Sequence, residues 1–168
     1  WTFLDVGAGV GYFSLIAASK GNSVIAIEAS ADAVALLEKN AALNHLGGDI
    51  HCVAVAEYDG EGYLRVEGAD IGNPGSRHLV TVPVGGAVQV RRLATILGEQ
   101  RPQFIKIDIE GMEERVFIDS LPILEAAQVV VFEVSESQMK RYGGSIRSTV
   151  ALLEDAGFTV SPLGEAAT

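Results

Sequence analysis

The stretch Trp1-Thr2-Phe3-Leu4-Asp5-Val6-Gly7-Ala8-Gly9-Val10-Gly11-Tyr12-Phe13 decides how the chain is read. Its first six residues form an apolar run that predicts a strand, and the spacing of Phe13, Ile16 and Ala17 predicts a helix ended by Gly21. The glycines therefore fall in a strand-to-helix turn. There a missing side chain lets the backbone approach a ligand closely and adopt dihedrals that other residues resist. The pattern is that of a nucleotide-cofactor loop.

The glycine spacing narrows the ligand. A dinucleotide fold places its third glycine five residues after the first, but here Tyr12 stands at that place and the glycine comes one residue early, at Gly11. An acid two positions before the first glycine, followed by G-x-G-x-G, resembles the opening of S-adenosylmethionine-dependent methyltransferases.

Composition sets the bounds. A length of 168 residues with 48% hydrophobic content suits one domain with a single core. No apolar stretch approaches the roughly 18 residues that a spanning helix needs. Nor does a charged-then-apolar leader precede the first strand, so a soluble, cytoplasmic protein is expected. The single Cys52 makes no internal disulfide and reads as packing within a strand. The net charge is −10, and the twelve basic residues are scattered, with only Arg91-Arg92 and Lys140-Arg141 adjacent. Nucleic acid and membrane surfaces are therefore not expected partners, because no basic stripe is present to neutralise phosphates or lipid headgroups. Composition leaves the oligomeric state open. Because Trp1 already lies inside the first predicted strand, residues 1–168 read as one domain cut at the amino end and perhaps at the carboxyl end.

Further strands are expected at Ser23 to Glu28, Ile50 to Val55, Gln103 to Asp108, Gln128 to Val134 (a strong buried strand) and Phe158 to Ser161. Helices are expected from the Ser30 cap to about Asn44, with Gly47-Gly48 as the stop, and over Arg92 to Gly98, Glu113 to Ser120 and Ser145 to Ala156. Residues 57–91 are Gly-rich, with short β candidates at Tyr63 to Val66, Leu79 to Val82 and Ala87 to Val90, and read as a small β insertion. The expected fold is α/β, a Rossmann-like class I arrangement with a mostly parallel sheet and helices on both faces.

Ligands bind such sheets at the carboxyl ends of the strands. The predicted strand ends are Asp5, Glu28, Val55, Asp108 and Glu133, four of them acids. Glu28, 21 residues after Gly7, stands where a carboxylate accepts hydrogen bonds from ribose hydroxyls. Asp5 is expected near the methionine amino group, although an acid before a glycine turn also serves simply to bond loop amides.

The segment Lys106-Ile107-Asp108-Ile109-Glu110-Gly111, with Glu113 and Glu114 behind it, makes the resemblance specific. Together with DVGAGVGYFS, VIAIEAS, Asn40 and Asn44, and the later FEVSES, KIDIEGMEERVF resembles the FkbM family of S-adenosylmethionine-dependent methyltransferases from Phe3 to about Glu136. The resemblance implies O-methylation of small hydroxylated molecules such as natural products and sugars. It implies a cofactor site formed by Asp5, Gly7, Ala8, Gly9, Gly11, Tyr12, Phe13, Glu28 and Ala29, with Ala54 and Val55 flanking adenine and Asp108 facing the reacting methyl. One departure stands out: Leu93-Ala94 occupies the place of the family's common Leu-Asp pair.

A sulfonium methyl is already activated, so holding the acceptor oxygen in line is the main task, with a base taking the hydroxyl proton. Asp108 is the leading base, and Glu133 is its alternative or orienting partner. Two carboxylates placed close together would raise one pKa toward neutrality. Lys106 is expected to face outward or to pair with an acid. Glu110 could reach substrate, or could simply favour a helix amino end. His78, expected with Arg77 in the turn-rich Gly72-Asn73-Pro74-Gly75-Ser76 loop, is the second choice of base. His45, His51 and Cys52 lack ligand spacing; a magnesium site of Asp108, Glu110 and Glu133 is conceivable, but carboxylates near a cationic sulfonium need no metal to explain them, and none is expected. Two rivals remain at this stage. A nicotinamide-dependent oxidoreductase is disfavoured by Tyr12 and by the lack of a Tyr-x-x-x-Lys pair; the other is a non-catalytic methyltransferase-like binding module.

Overall fold

The computed structural model describes residues 1–53, 56–57, 62–67, 78–81 and 88–163, with the backbone alone for 56–57, 62–67, 78–81 and 88. In chain order the elements begin β1 (Thr2–Val6), α1 (Tyr12–Ser19), β2 (Ser23–Ile27), α2 (Ala31–Leu43) and β3 (Ile50–Val53). Short strands follow as β4 (Ala56–Glu57), β5 (Gly62–Glu67), β6 (His78–Thr81) and β7 (Val88–Arg91). The chain continues with α3 (Leu93–Leu97), β8 (Phe104–Ile107), α4 (Glu113–Glu125), β9 (Val129–Phe132), α5 (Glu136–Arg141) and α6 (Ile146–Asp155).

Five strands form a wholly parallel sheet in the order β3-β2-β1-β8-β9. The chain moves outward from β1 to β3 and returns on the other side as β8 and β9, so the order reverses between β1 and β8. The expected β insertion is a separate four-stranded sheet, β4-β7-β5-β6, in which β5 runs antiparallel to both β6 and β7.

Alternation along the strands gives each face its own core. Leu4, Val6, Ile25, Ile27, Ile105 and Ile107 pack with Leu93, Val116, Phe117 and Leu153 of α3, α4 and α6. Phe3, Val24, Ala26 and Ile50 pack with Ala18, Leu37 and Ala41 of α1 and α2. Each fully buried Leu, Ile or Val contributes about 1.5–3 kcal/mol relative to exposure, which makes this register costly to shift.

Capping follows the sequence closely. Ser30 Oγ accepts from Ala33 N, and Ser145 Oγ accepts from Ser148 N at 3.0 Å. Gly21 and Gly157 take the positive φ values that end α1 and α6. The chain leaves α2 earlier than the glycine pair suggests, because His45 itself adopts a left-handed conformation (φ 58°) and Leu46 N bonds back to Ala41 O.

Three expectations need correction. The Gln128 to Val134 segment is not a fully buried strand: β9 is the last strand of its sheet, and Val129 is 36% exposed. Phe158 and Val160 pack against the core, but the segment forms no strand, since the sheet order ends at β9 and no backbone ladder joins it. Helix α4 runs through Pro122 to Glu125 instead of stopping at Ser120. Pro122 lies on the exposed face, where water can serve the carbonyl that loses its partner, while Ile123 and Leu124 stay in the core.

Candidate active site

The glycine turn after β1 and the residues after β8 meet where the strand order reverses, the usual ligand position in an open parallel sheet. Gly7 (φ 73°) lies so close to Asp108 that a Cβ added there would sit 1.8 Å from the Asp108 carbonyl oxygen. A Cβ on Gly11 (φ 92°) would lie 2.6 Å from Leu37 Cγ of α2. Gly9 differs: its φ is also positive, at 55°, but a Cβ would meet nothing within 4 Å. Gly7 and Gly11 are thus glycines for packing, and the surface beside Gly9 is open. Ala8 is buried, while Tyr12 and Phe13 are exposed at the start of α1 with their rings edge to face, 5.1 Å apart.

Glu28, at the end of β2, staples this loop: Oε2 accepts from Gly9 N and Oε1 from Ser30 N, each at 2.8 Å. Ala29 lies between them in the chain and is partly exposed. Asn40 of α2 donates to the carbonyl of Val10, fixing the far side of the turn.

Beneath the loop lies a buried polar group that alternation explains. Asp5 and Lys106 are register partners on adjacent strands, so both side chains emerge on the face covered by α1. Asp5 is fully buried, accepts from Ser14 Oγ at 2.7 Å and pairs with Lys106 Nζ at 3.1 Å. Lys106 Nζ also donates to Gly7 O at 2.9 Å, stands 3.5 Å from Asp108 Oδ2, and lies 5.5 Å from the centre of the Phe13 ring. Of the two orientations expected for Lys106, pairing with an acid is the one present. The carboxylate of Asp5 is committed to Ser14 and Lys106.

Register also explains the second acidic group. Ile107 of β8 pairs with Phe132 of β9, so Asp108 and Glu133 follow side by side, and Glu133 N bonds to Ile107 O. Their carboxyl oxygens come within 4.8 Å of each other. Glu110, in a left-handed conformation (φ 60°), joins them: carboxylate oxygens of Asp108, Glu110 and Glu133 all lie within 4.8 Å of one another. Burial, a hydrogen bond with Asp108 and then the charges of Asp108, Glu110 and Glu113 push Glu133 up to about 7. Glu110 is raised by burial and then by Asp108 and Glu113, with Gln138 and Arg141 opposing. Such crowding of negative charge favours a cationic group nearby.

Sequence reasoning missed the support for this cluster. Buried Glu113 does more than begin α4: its Oε1 accepts from Ile109 N at 3.0 Å and Gly111 N at 3.2 Å, shaping the turn that carries Glu110. Gln138 of the unforeseen short helix α5 donates to Glu110 Oε2. Its backbone fills the space where a Gly111 side chain would stand. Glu114 ties α4 to α6 by accepting from Ser145 N, Ser148 Oγ and Thr149 Oγ1. The buried Met139 between polar neighbours was the available signal for α5.

Other expected site residues stand apart from this description. His78 begins β6 and is not in the preceding loop, because it pairs with Glu67 of β5; its side chain lies outside the described residues. Ala54 and Val55 also lie outside them. The Cys52 thiol is pushed up by burial and then by Glu38, consistent with packing. A polar depression lined by Thr2, Ser23, Asp49, His51 and Gln100 opens at the amino ends of the strands, away from all of these groups.

A family model described as "Methyltransferase FkbM domain" matches residues 5–160. The chain belongs to this family. Among solved structures, an FkbM methyltransferase from Methylobacillus flagellatus KT is similar at 16% identity and TM-score 0.54, over 90% of this chain and 38% of that one. The ribosomal protein L11 methylase of Lactobacillus delbrueckii subsp. bulgaricus is similar at 19% identity and TM-score 0.55, over 99% of this chain and 64% of that one. Precorrin-6y C5,15-methyltransferase of Geobacter metallireducens GS-15 is similar at 14% identity and TM-score 0.54, over 95% and 64%. The chain thus spans less than two thirds of each, and the likeness establishes a Rossmann-like methyltransferase fold. No curated protein matches it. Among the described residues, no helix is long and apolar enough to cross a membrane.

Proposed function

We propose that this domain transfers a methyl group from S-adenosylmethionine to a hydroxyl oxygen of a small molecule, of the kind found in natural products and sugars. The observation that carries the proposal is the close contact of the glycine turn, through Gly7, with Asp108 where the strand order reverses, with the Glu133 carboxyl within 4.8 Å of that of Asp108. The cofactor supplies an activated methyl on a cationic sulfur, and the remaining tasks fall to the chain.

Gly9, Tyr12 and Phe13 offer an open surface beside the buried Ala8, backed by the packed Gly7 and Gly11. Glu28 has lone pairs left on both carboxylate oxygens for ribose hydroxyls. With Glu133 raised to about 7, that carboxyl exchanges its proton near neutral pH, so the cluster offers a carboxylate that can accept the acceptor's hydroxyl proton as the new bond forms. The negative cluster favours a sulfonium over a neutral thioether. With a net charge of −10, a small hydroxylated acceptor in the cytoplasm is a better partner than nucleic acid or a membrane.

Isothermal titration of the chain with S-adenosylhomocysteine, with NADH as the control ligand, tests the cofactor. Binding of the homocysteine compound alone is expected, and methyl transfer to a panel of hydroxylated acceptors is the next readout. Binding of NADH would return the oxidoreductase, whereas binding of neither would make the domain a non-catalytic module.

A further inference from the structure

One buried cation reaches the glycine turn from the neighbouring strand. Lys106 of β8 is 7% exposed, and its ammonium lies 3.1 Å from Asp5 Oδ1, 2.9 Å from Gly7 O and 3.5 Å from Asp108 Oδ2. These contacts differ in kind. Asp5 Oδ1 takes no aligned hydrogen bond, so its contact with the ammonium is one of charge. Among the described residues, the hydrogen bond that Lys106 Nζ makes goes to the Gly7 carbonyl. No backbone amide among those residues donates to that carbonyl, which is served instead by a side chain 99 positions further along the chain. Charge pairing with Asp5 accounts for the burial of Lys106, but not for a donor aimed into the turn.

We propose that Lys106 is a positioning residue for the cofactor turn: its ammonium pins the Gly7 carbonyl and so keeps the open Gly9 in the geometry that receives the ligand. The methyl-transfer reading supplies the identity of that ligand, and the contacts of Lys106 supply the pin. The other holds on the turn come from one side of β1. Gly7 N and Ala8 N donate to Ile27 O of β2, Gly9 N donates to Glu28, and Asn40 of α2 donates to Val10 O. Lys106 holds the turn from the opposite side, where β8 lies. The tight packing of Gly7 on the Asp108 carbonyl stops the turn from moving toward β8, but contact of that kind cannot stop it from moving away. A charged donor on a carbonyl can, and this one is shielded from water, with the Phe13 ring centred 5.5 Å from the ammonium. A turn ordered in advance costs less to order on binding, so the pin should appear in ligand affinity.

Hydrogen exchange followed by NMR reads the turn without any ligand. In Asp5→Asn/Lys106→Met, which removes both buried charges together, the Gly9 and Gly11 amides should exchange about 10–100-fold faster, beyond any change at Ile25 and Ile105 in the sheet. S-adenosylhomocysteine should bind that variant more weakly by a similar factor. In Asp5→Asn, which keeps the donor on Gly7, the two turn amides should keep their wild-type rates relative to the sheet. An equal loss of protection in both variants, or a loss spread evenly over turn and sheet, would reduce Lys106 to the partner of Asp5 and overturn the proposal. If the double variant does not fold, wild type labelled at lysine nitrogen and glycine carbonyl carbon carries the test. A scalar coupling between Lys106 Nζ and the Gly7 carbonyl carbon is expected across the hydrogen bond, and its absence overturns the pin. Titration of wild type with S-adenosylhomocysteine separates the two inferences. No binding alongside a loosened turn in the double variant removes the methyl-transfer reading and leaves the pin; binding with a turn that does not loosen does the reverse.

Discussion

Two acidic groups lie only a strand's end apart, and the fold treats them in opposite ways. Asp5 is sealed under α1 with a hydroxyl and an ammonium, so burying its charge is compensated. Asp108, Glu110 and Glu133 are gathered at the surface with more negative charge than their neighbours offset, and Glu133 rises toward neutrality as a result. The same side-chain chemistry is therefore neutralised where its partners are complete and left crowded, with a raised carboxyl, where they are not. The glycines repeat the contrast, since Gly7 and Gly11 face packed atoms whereas Gly9 faces open space.

The largest effect expected from breaking this comparison is on chemistry at the surface cluster. Asp108→Asn should lower turnover by roughly 10²–10⁴-fold while changing S-adenosylhomocysteine affinity far less. Parallel losses in kinetics and calorimetry would make Asp108 a binding group. Lys106→Met attacks the buried group instead and leaves Asp5 without its cation, at a cost of roughly 3–5 kcal/mol in denaturant unfolding. A loss under about 1 kcal/mol would show that Asp5 is not held as a buried charge.

Between the glycines, Gly7→Ala should cost about 2–4 kcal/mol, because its Cβ meets a backbone oxygen that no side-chain rotation can move away. Gly9→Ala should cost only about 1 kcal/mol of left-handed strain yet weaken S-adenosylhomocysteine binding. Equal stability losses would erase the distinction between packed and open glycines.

The smallest effect is one of pH. The folded state raises Glu133 to about 7, above its unfolded value, so between about pH 4.5 and 7 the folded protein holds a proton that the unfolded chain has released. Stability should therefore fall as pH rises through that window, and Glu133→Gln should flatten this part of the melting-temperature profile. Identical wild-type and variant slopes would mean that Glu133 ionises at an ordinary carboxylate value.

Much of the fold was legible because its signals are local. Apolar runs marked all five strands of the parallel sheet, and Ser30 and Ser145 marked helix starts by capping chemistry that acts within three residues. The Asp108 and Glu133 pair was legible too, because both follow apolar strands and parallel sheets gather such ends. Less visible was anything set by which strand lies at the edge. The apolar run of β9 looked like a central strand, and Phe158 to Ser161 looked like another, because hydrophobicity reports packing and not the presence of a hydrogen-bonding neighbour.

What the sequence determined by itself was the place of the five parallel strands, the glycine turn and the identity of the acids at the strand ends, since each depends on residues close together in the chain. Tertiary structure alone decided which acid would be buried and which would be left crowded. Pairing β1 with β8 in register set Lys106 beside Asp5, and pairing β8 with β9 set Glu133 beside Asp108. Those partners are separated by 101 and 25 positions, and only the sheet brings them within reach of each other's charge.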